Sequence, residues 1–222
     1  LDLPADRQRP SVLSYRGATH SFILADDIAS AVHELSRSQG TTPFMTMLAV
    51  FQLLLHRYTN QHDIVVGAPV AGRDQLELEQ LIGFFVNTLA LRTNLSGNPT
   101  FAELLDRVKH VCYGAYDNAS LPFDKLVEDL QPERNRSHQP VVQVEFMLHE
   151  MPFKSLDIAN GLTFTPLEID RGISKFDLTL YIWTTAAGMT GSIEYSTDLF
   201  EESTIIRMQE HFQNLLEAVL LD

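Results

Sequence analysis

The side chains in this sequence that could carry out proton transfer or nucleophilic attack are eight histidines and a single cysteine, Cys112. A histidine acts as a general base when a neighbouring group orients it and its pKa suits the reaction. No two histidines are adjacent, none lies in a glycine-rich turn, and an acid that directly follows a histidine points away from it on a helix or strand. We therefore predict surface or packing positions for all eight: His20, His33, His56, His62, His110, His138, His149 and His211.

Cys112 lies in a helical pattern over residues 104–116, which predicts a small core residue rather than a nucleophile. A lone cysteine forms no internal disulfide. The metal-site patterns CxxC and HExxH are absent, and so are the nucleophile elbow GxSxG and the phosphate-binding patterns GxGxxG and GxxxxGK[ST]. The residues by themselves predict a mixed α/β lobe without a metal site and without a self-contained active site.

The composition excludes several classes of partner. Asp and Glu number 29 against 16 Lys and Arg, so nucleic acid, which needs basic residues to neutralise its phosphates, is not an expected partner. The longest apolar stretch, residues 44–55, is too short to span a bilayer, and no signal peptide opens the sequence. We predict a cytoplasmic protein, and the absence of an initiator Met suggests a fragment of a longer chain.

The elements that must position any site alternate between helical and strand patterns, which favours an α/β (α+β) lobe with one mixed sheet and helices packed on it. Residues 1–17 predict an irregular linker or arm. Strands are predicted at residues 19–24, 64–70, 84–91, 141–148, 162–169, 176–183 and 189–195. Helix starts are predicted at Asp26 or Asp27, at Thr42, at Thr100 with Glu103 as a capping box, at Pro122, and at Asp198 with Glu201.

Three ordered segments resemble motifs of the condensation domains of nonribosomal peptide synthetases. Residues 82–88 read I-G-F-F-V-N-T and fit I-G-x-F-x-N-T at every defined position, including Gly83. Residues 118–124 read N-A-S-L-P-F-D where the family reads H-Q-D-x-P-F-E, so Pro122 and Phe123 match and the first three positions depart. Residues 134–143 resemble R-D-x-S-R-x-P-L-F-Q and keep Arg134, Ser137, Pro140 and Gln143.

Five further segments are similar to the same family: residues 3–10, 42–45, 65–73, 175–178 and 195–200. The resemblance therefore covers the whole chain, with residues 1–17 as an inter-lobe linker and residues 18–222 as the C-terminal lobe. It implies a fold like that of chloramphenicol acetyltransferase, in which two lobes form a V around a tunnel. The family's catalytic motif, H-H-x-x-x-D-G, belongs to the N-terminal lobe and is absent from this sequence.

The resemblance also implies partners and site residues. The partners are the N-terminal lobe, donor and acceptor peptidyl carrier proteins, and an adjacent adenylation domain; no cofactor binds directly, and phosphopantetheine arms on the carrier proteins bring the substrates. It implies that the loop at residues 73–79 and the hairpin at residues 175–190 cross to the other lobe. Predicted tunnel residues are Phe85, Asn87 and Thr88; predicted structural positions are Gly83, Pro122, Phe123, Arg134, Ser137, Pro140 and Gln143.

Two questions stay open at this point. A buried amide such as that of Asn87 must find partners, and either the tunnel or a fixed backbone contact could supply them. The activity is the second question: the intact domain would form peptide bonds between carrier-bound thioesters, whereas this chain alone is predicted to be inactive. The alternatives are a non-catalytic scaffold or docking lobe, a fragment made for structural study, and a standalone acyltransferase of the wider superfamily. The Asn87-Thr88 pair argues against an epimerisation domain.

Overall fold

A mixed six-stranded sheet organises the chain. The computed structural model describes residues 1–25, 27–73, 76–133, 135–150, 156–158, 162–164, 171–185 and 188–221. Its strands are β1 (Gly17–Ile23), β2 (Asp63–Val70), β3 (Asn87–Asn94), β4 (Val144–Glu150), β5 (Leu156–Ile158), β6 (Leu162–Phe164), β7 (Leu178–Thr185) and β8 (Gly188–Ser196). Its helices are α1 (Ile28–Ser38), α2 (Pro43–Thr59), α3 (Leu76–Glu79), α4 (Phe101–Asp117), α5 (Phe123–Leu130) and α6 (Glu202–Leu221).

The strand order across the large sheet is β1-β8-β7-β4-β2-β3, while β5 and β6 pair with each other. The central strand β4 runs parallel to both β2 and β7, and the remaining pairs of the large sheet are antiparallel. Antiparallel pairing of β7 with β8 confirms the predicted hairpin. The mixed sheet with helices packed on it is the predicted fold class, which is confirmed.

One apolar core lies between the sheet and the helices. Alternate side chains of the strands, such as Val66 on β2, Phe146 on β4 and Leu180 on β7, point into it and are buried. Helix α2 is buried on nearly all sides, and its Phe51 ring lies 5.9 Å from the ring of Phe146, centroid to centroid. A helix that is apolar all round belongs in the centre of a fold. None of the helices within the described ranges is long and apolar enough to cross a membrane.

Two of the predicted helix starts are confirmed in detail. The Thr42 side chain accepts a hydrogen bond from the Met45 backbone N–H, with Pro43 in the first turn of α2. At α4, Thr100 accepts from the Glu103 N–H and the Glu103 carboxylate accepts from the Thr100 N–H, which completes the capping box. Local sequence sufficed here because every partner lies within three residues.

Asp27 stands at the N-cap position of α1, as predicted, whereas the predicted start of α6 at Asp198 was wrong. Asp27 has a helical backbone conformation and makes no capping bond, and Asp26 lies outside the described residues. Helix α6 begins at Glu202, and its cap is supplied by Asp6, whose two carboxylate oxygens accept from the Glu201 N–H (2.8 Å) and the Thr204 hydroxyl (2.9 Å). A cap that is almost 200 residues away in sequence leaves no local pattern.

Several strand boundaries also differ from the predictions. The predicted strand at residues 84–91 begins only at Asn87, because its partner β2 ends at Val70, the residue opposite Asn87. Strand β4 begins three residues later than predicted, and β7 begins two residues later. Just before β7, the Asp177 N–H donates to the Gln143 carbonyl and the Asp177 carbonyl accepts from the Ser196 N–H. Of the predicted strand at residues 162–169, β6 covers the first three residues and the rest lies outside the described ranges.

Candidate functional site

Helices α1, α2, α4 and α6 pack on one face of the large sheet, and the opposite face, here called the helix-free face, has no helical cover in the described part of the structure. Strand alternation and register place on it the side chains that do not enter the core. These side chains include Thr19, Thr88, Glu145, Met147, His149, Thr179, Tyr181, Trp183 and Glu194. Polar and aromatic groups therefore dominate this face, in contrast to the core face.

Two carboxylates lie in one row across four strands of the helix-free face. Glu145 on β4 is opposite Thr179 on β7, Thr179 is opposite Glu194 on β8, and Glu194 is opposite Thr19 on β1. Two strand spacings, about 9.5 Å, separate the Cα atoms of Glu145 and Glu194. The Thr179 hydroxyl between them is buried and has no hydrogen-bond partner among the described residues.

Glu145 is the buried member of this row. Only 6% of its surface is exposed, and it lines a cavity of about 420 Å³ that lies between the sheet and the segment at residues 171–176. Burial raises the pKa of Glu145 to about 7, with Lys175 lowering this pKa and Glu194 raising it. A carboxyl group that titrates near neutral pH inside a cavity is a feature of functional sites.

An aromatic ladder continues along the same face. The Tyr181 ring lines the cavity and stacks on the Trp183 ring, with centroids 5.5 Å apart and planes 13° apart. His149 stacks in turn on Trp183 at 6.1 Å. Burial, together with Glu194 and Glu145, raises the pKa of Tyr181 to about 12, so its phenol stays neutral at physiological pH. The site thus combines carboxylates with a flat aromatic wall.

The predicted tunnel residue Asn87 lies elsewhere, on the face of the sheet that carries the helices. Its amide nitrogen donates to the carbonyls of Ala119 (3.0 Å) and Leu121 (2.7 Å), and its amide oxygen accepts from the Phe123 N–H (2.9 Å). Of the two alternatives left open by the sequence, these bonds correspond to the fixed backbone contact. They join the first resembling segment to the second and hold the start of α5. A tunnel-facing position for Asn87 stays a prediction.

We expect Asn87→Ala to lower the free energy of unfolding by about 2 kcal/mol, because three hydrogen bonds, two of them half-buried, are lost and two carbonyls and an N–H lose their partner. Asn87→Asp is expected to be no milder, since a carboxylate would face the same two carbonyl oxygens. Urea unfolding measures the stability, and hydrogen exchange at the Phe123 amide measures the anchoring of α5. Thr88→Ala, on the opposite face, is the control. Unchanged stability and exchange in Asn87→Ala would contradict the assignment.

The other predicted tunnel residues are divided between the sheet and a projecting segment, residues 76–86. Thr88 lies on the helix-free face, opposite Pro69 of β2. Phe85 is half-buried, and the Arg73 guanidinium lies 4.4 Å from the centre of its ring. Gly72, at φ +62°, approaches the Phe85 carbonyl so closely that an added Cβ would lie 2.0 Å from its oxygen. This contact closes the base of the projecting segment. Within the segment, a Cβ added to Gly83 would lie 2.8 Å from the Phe85 ring.

The remaining motif residues lie near the N-terminal arm and α5. Pro122 is the exposed N-cap of α5, and Pro140 lines a surface cleft of about 700 Å³ beside that helix. The Ser137 N–H donates to the Asn135 side chain, and the Gln143 side chain donates to the Gln139 carbonyl. The prediction for Arg134 lies outside the described residues.

The N-terminal arm is held by a half-buried ion pair. Arg9 donates to both carboxylate oxygens of Asp177, at 2.8 and 2.5 Å, and to the Ser137 carbonyl at 3.2 Å. The Asp177 side chain is 3% exposed. The arm therefore joins the third resembling segment to the start of β7.

The histidines and the cysteine form no catalytic arrangement in the described residues. His56 and His62 lie with ring centroids 5.0 Å apart, and His211 shares a hydrogen bond of 2.9 Å with the Tyr58 hydroxyl. No group of three possible metal ligands occurs in the described ranges. Cys112 is fully buried, which confirms its predicted core position, and burial raises the pKa of its thiol to about 12.

The sequence analysis did not predict the residues that line the cavity on the helix-free face. The available signal was Glu145 itself, a carboxylate inside an otherwise apolar strand run. Its neighbours Tyr181 and Glu194 come from other strands, and only the register places them beside it.

Comparisons with known proteins address the family. A family model described as "Condensation domain" matches residues 1–222. One of the linear gramicidin synthase proteins of Brevibacillus parabrevis is 48% identical over 221 residues, which are 99% of this chain and 4% of that protein. A holo four-domain nonribosomal peptide synthetase has the same fold, with a TM-score of 0.92 at 23% identity over 99% of this chain and 18% of that one. The X-domain from teicoplanin biosynthesis, in a complex with OxyB, superposes with a TM-score of 0.89 at 28% identity over 100% of this chain and 49% of that chain. This chain therefore belongs to the condensation-domain family of nonribosomal peptide synthetases.

Proposed function

We propose that this chain is the C-terminal lobe of a condensation domain, with residues 1–17 as the inter-lobe linker and residues 18–222 as the lobe. In the assembled domain an amine attacks the carbonyl carbon of a thioester, so that a C–N bond forms, the C–S bond breaks and the proton of the amine is taken up by a base. This lobe supplies one wall of the tunnel and part of the carrier-protein docking surface. The base comes from the N-terminal lobe, which carries the catalytic histidine.

The observation that carries the proposal is the helix-free face. A sheet covered by helices on one side needs another layer on its second side, and here that side bears a cavity with a buried carboxyl group. The chain spans only about half of the X-domain chain, 49%, so the other half of that chain is the size of a second lobe. A second lobe placed over the helix-free face would enclose the cavity and exclude water from it.

The projecting segment supports a lobe contact as well. Its large apolar side chains Leu76, Leu81, Ile82, Phe84 and Val86 are exposed. Contiguous exposed apolar side chains mark interaction surfaces. An extended segment of this kind can add a strand to the sheet of a partner. We assign this segment and the β7–β8 hairpin to the contact with the N-terminal lobe.

The chain alone is expected to form no peptide bond, and adding a separately expressed N-terminal lobe is expected to restore product formation. The assay mixes acyl-loaded donor and aminoacyl-loaded acceptor carrier proteins with this chain, with and without the other lobe. A general base contributes about 10²- to 10⁴-fold, so its absence leaves negligible turnover. Mass spectrometry of the carrier-bound product is the measurement. Product from this chain alone would overturn the proposal.

A docking lobe without catalysis is the second candidate, and one comparison favours it. The X-domain, of whose chain 49% matches this chain, is described in a complex with OxyB. Under this reading the projecting segment would contact another protein, and adding the N-terminal lobe would restore no activity.

A further inference from the structure

A pocket of about 370 Å³ opens between helices α2 and α6, in the helix layer and not on the helix-free face. Leu54, Tyr58 and Leu215 form its apolar base, with Leu54 buried and the other two half-buried. The rim is polar and exposed, and it consists of Arg57, His211 and Asn214. An apolar base with a few polar groups around it is typical of a binding pocket.

The two helices are joined at this pocket by a pair of ring side chains. The Tyr58 hydroxyl and His211 Nδ1 lie 2.9 Å apart and share a hydrogen bond, and the centroids of the two rings lie 5.8 Å apart. Burial raises the pKa of Tyr58 and the charge of Arg207 lowers it, which puts the Arg207 guanidinium close to the pocket as well. The hydrogen bond fixes two side chains of the pocket, so a partner finds them already in place.

The rim of the pocket carries positive charge without a counter-ion. In the part of the chain that the structure describes, the Arg57 side chain makes no hydrogen bond or ion pair, and the Arg207 side chain donates to the Thr204 hydroxyl but makes no ion pair. Helix α2 contains no Asp or Glu, and Glu210 of α6 does not line the pocket. The whole chain has 29 Asp and Glu against 16 Lys and Arg. A positive rim without acids in such a chain favours a partner that supplies carboxylates.

We propose that this pocket, here called the α2–α6 pocket, docks an acidic segment of another protein. The segment inserts one apolar side chain against Leu54 and Leu215 and places Asp or Glu beside Arg57 and Arg207. Arginine binds a carboxylate through two parallel hydrogen bonds. An apolar anchor in a preformed pocket, with charged pairs at the rim, is the usual construction of a protein–protein interface.

Other partners fit the α2–α6 pocket less well. A basic segment would meet two arginines. Nucleic acid would find the same arginines, but the formal net charge of −13 repels its phosphates. A small inorganic anion would leave the apolar base uncovered. The combination of an apolar base with a positive rim therefore selects a segment that is both acidic and partly apolar.

Fluorescence anisotropy offers a direct test on the full 222-residue chain. The probe is a pool of short fluorescein-labelled peptides in which one Leu, Phe or Trp is flanked by Asp and Glu. Two matched pools replace either the acids by Lys or the apolar residue by Ala, and a labelled oligothymidylate is the nucleic-acid reference. We expect saturable binding of the acidic apolar pool alone. This binding should weaken several-fold from about 0.05 M to about 0.5 M salt, because salt screens the charges of the rim.

Two exposed positions of the rim provide the variants. Arg57→Glu should weaken peptide binding at least about fivefold, since the carboxylate of the peptide is then repelled. Asn214→Trp should abolish binding, because the new ring covers the apolar base. Arg37→Glu is the matched control and should leave binding unchanged, since Arg37 is exposed in the last turn of α1 as Arg57 is in the last turn of α2. Circular dichroism checks that each variant is folded.

Three results would overturn the proposal. The first is the absence of saturable binding by the acidic apolar pool. The second is equally tight binding of the lysine pool, the alanine pool or the oligothymidylate. The third is an equal affinity of Arg57→Glu and Arg37→Glu for the acidic apolar pool.

This test is separate from that of the proposed function. Helices α2 and α6 pack against the core face of the sheet, whereas the N-terminal lobe is assigned to the helix-free face. Adding the N-terminal lobe should therefore leave peptide binding unchanged, and competition between the two would assign the pocket to the lobe contact and disprove the proposal. Product formation with the N-terminal lobe does not depend on the α2–α6 pocket, so its absence disproves the proposed function alone.

Discussion

Replacing Glu145 with glutamine is expected to stabilise the fold by about 3 kcal/mol at pH 8 and to leave its stability unchanged below pH 4.5. Burial raises the pKa of Glu145 from 4.5 in the unfolded chain to about 7 in the fold. The folded state therefore holds more protons than the unfolded state between these values. Each pH unit in this window removes about 1.4 kcal/mol of stability as the pH rises, and the loss is complete above pH 7. Glutamine mimics the protonated acid and avoids that loss.

The measurement is urea unfolding of both proteins at pH 4.5, 6, 7 and 8. The difference in stability between the two proteins should grow over this pH range and then level off. Both proteins share every other titrating group, so the difference reports on Glu145 alone. Glu217→Gln, which makes the same change at an exposed position of α6, should follow the unmodified chain at every pH. A constant difference between the Glu145→Gln variant and the unmodified chain would show that Glu145 ionises as readily in the fold as in the unfolded chain.

Arg9→Met is expected to destabilise the fold by about 3 kcal/mol, because it leaves the Asp177 carboxylate buried without its bidentate partner. Asp177 is 3% exposed and Arg9 28%, so solvent screens this pair only in part. The loss should also detach the N-terminal arm, since Arg9 binds Ser137 as well. Thermal and urea unfolding measure the stability, and hydrogen exchange of the arm measures its attachment.

Arg92→Met is the matched control for this prediction. Arg92 also makes a bidentate bond to a carboxylate, that of Asp63, but both side chains are exposed, so we expect a much smaller effect. The double change Arg9→Met with Asp177→Asn should recover part of the loss, because the buried charge is then gone. Equal effects of Arg9→Met and Arg92→Met would show that burial of Asp177 does not set the strength of the pair.

The sequence determined those features whose causes are local. Thr42 with Pro43, and Thr100 with Glu103, fixed two helix starts because capping bonds span three residues. The apolar run of α2 identified a central helix, and the order of strands and helices identified the fold class. The motif at residues 82–88 pointed to the family, which the family model confirms over the whole chain.

Only the tertiary structure decided which of these residues meet. Asn87 and Thr88 are neighbours in one motif, yet strand alternation places them on opposite faces of the sheet. Asn87 binds a loop more than thirty residues away, and Asp6 caps a helix at the far end of the chain. The pKa of Glu145 depends on burial and on residues from β8 and from the segment before β7. Sheet register and burial arise from contacts distant in sequence, so no local pattern records them.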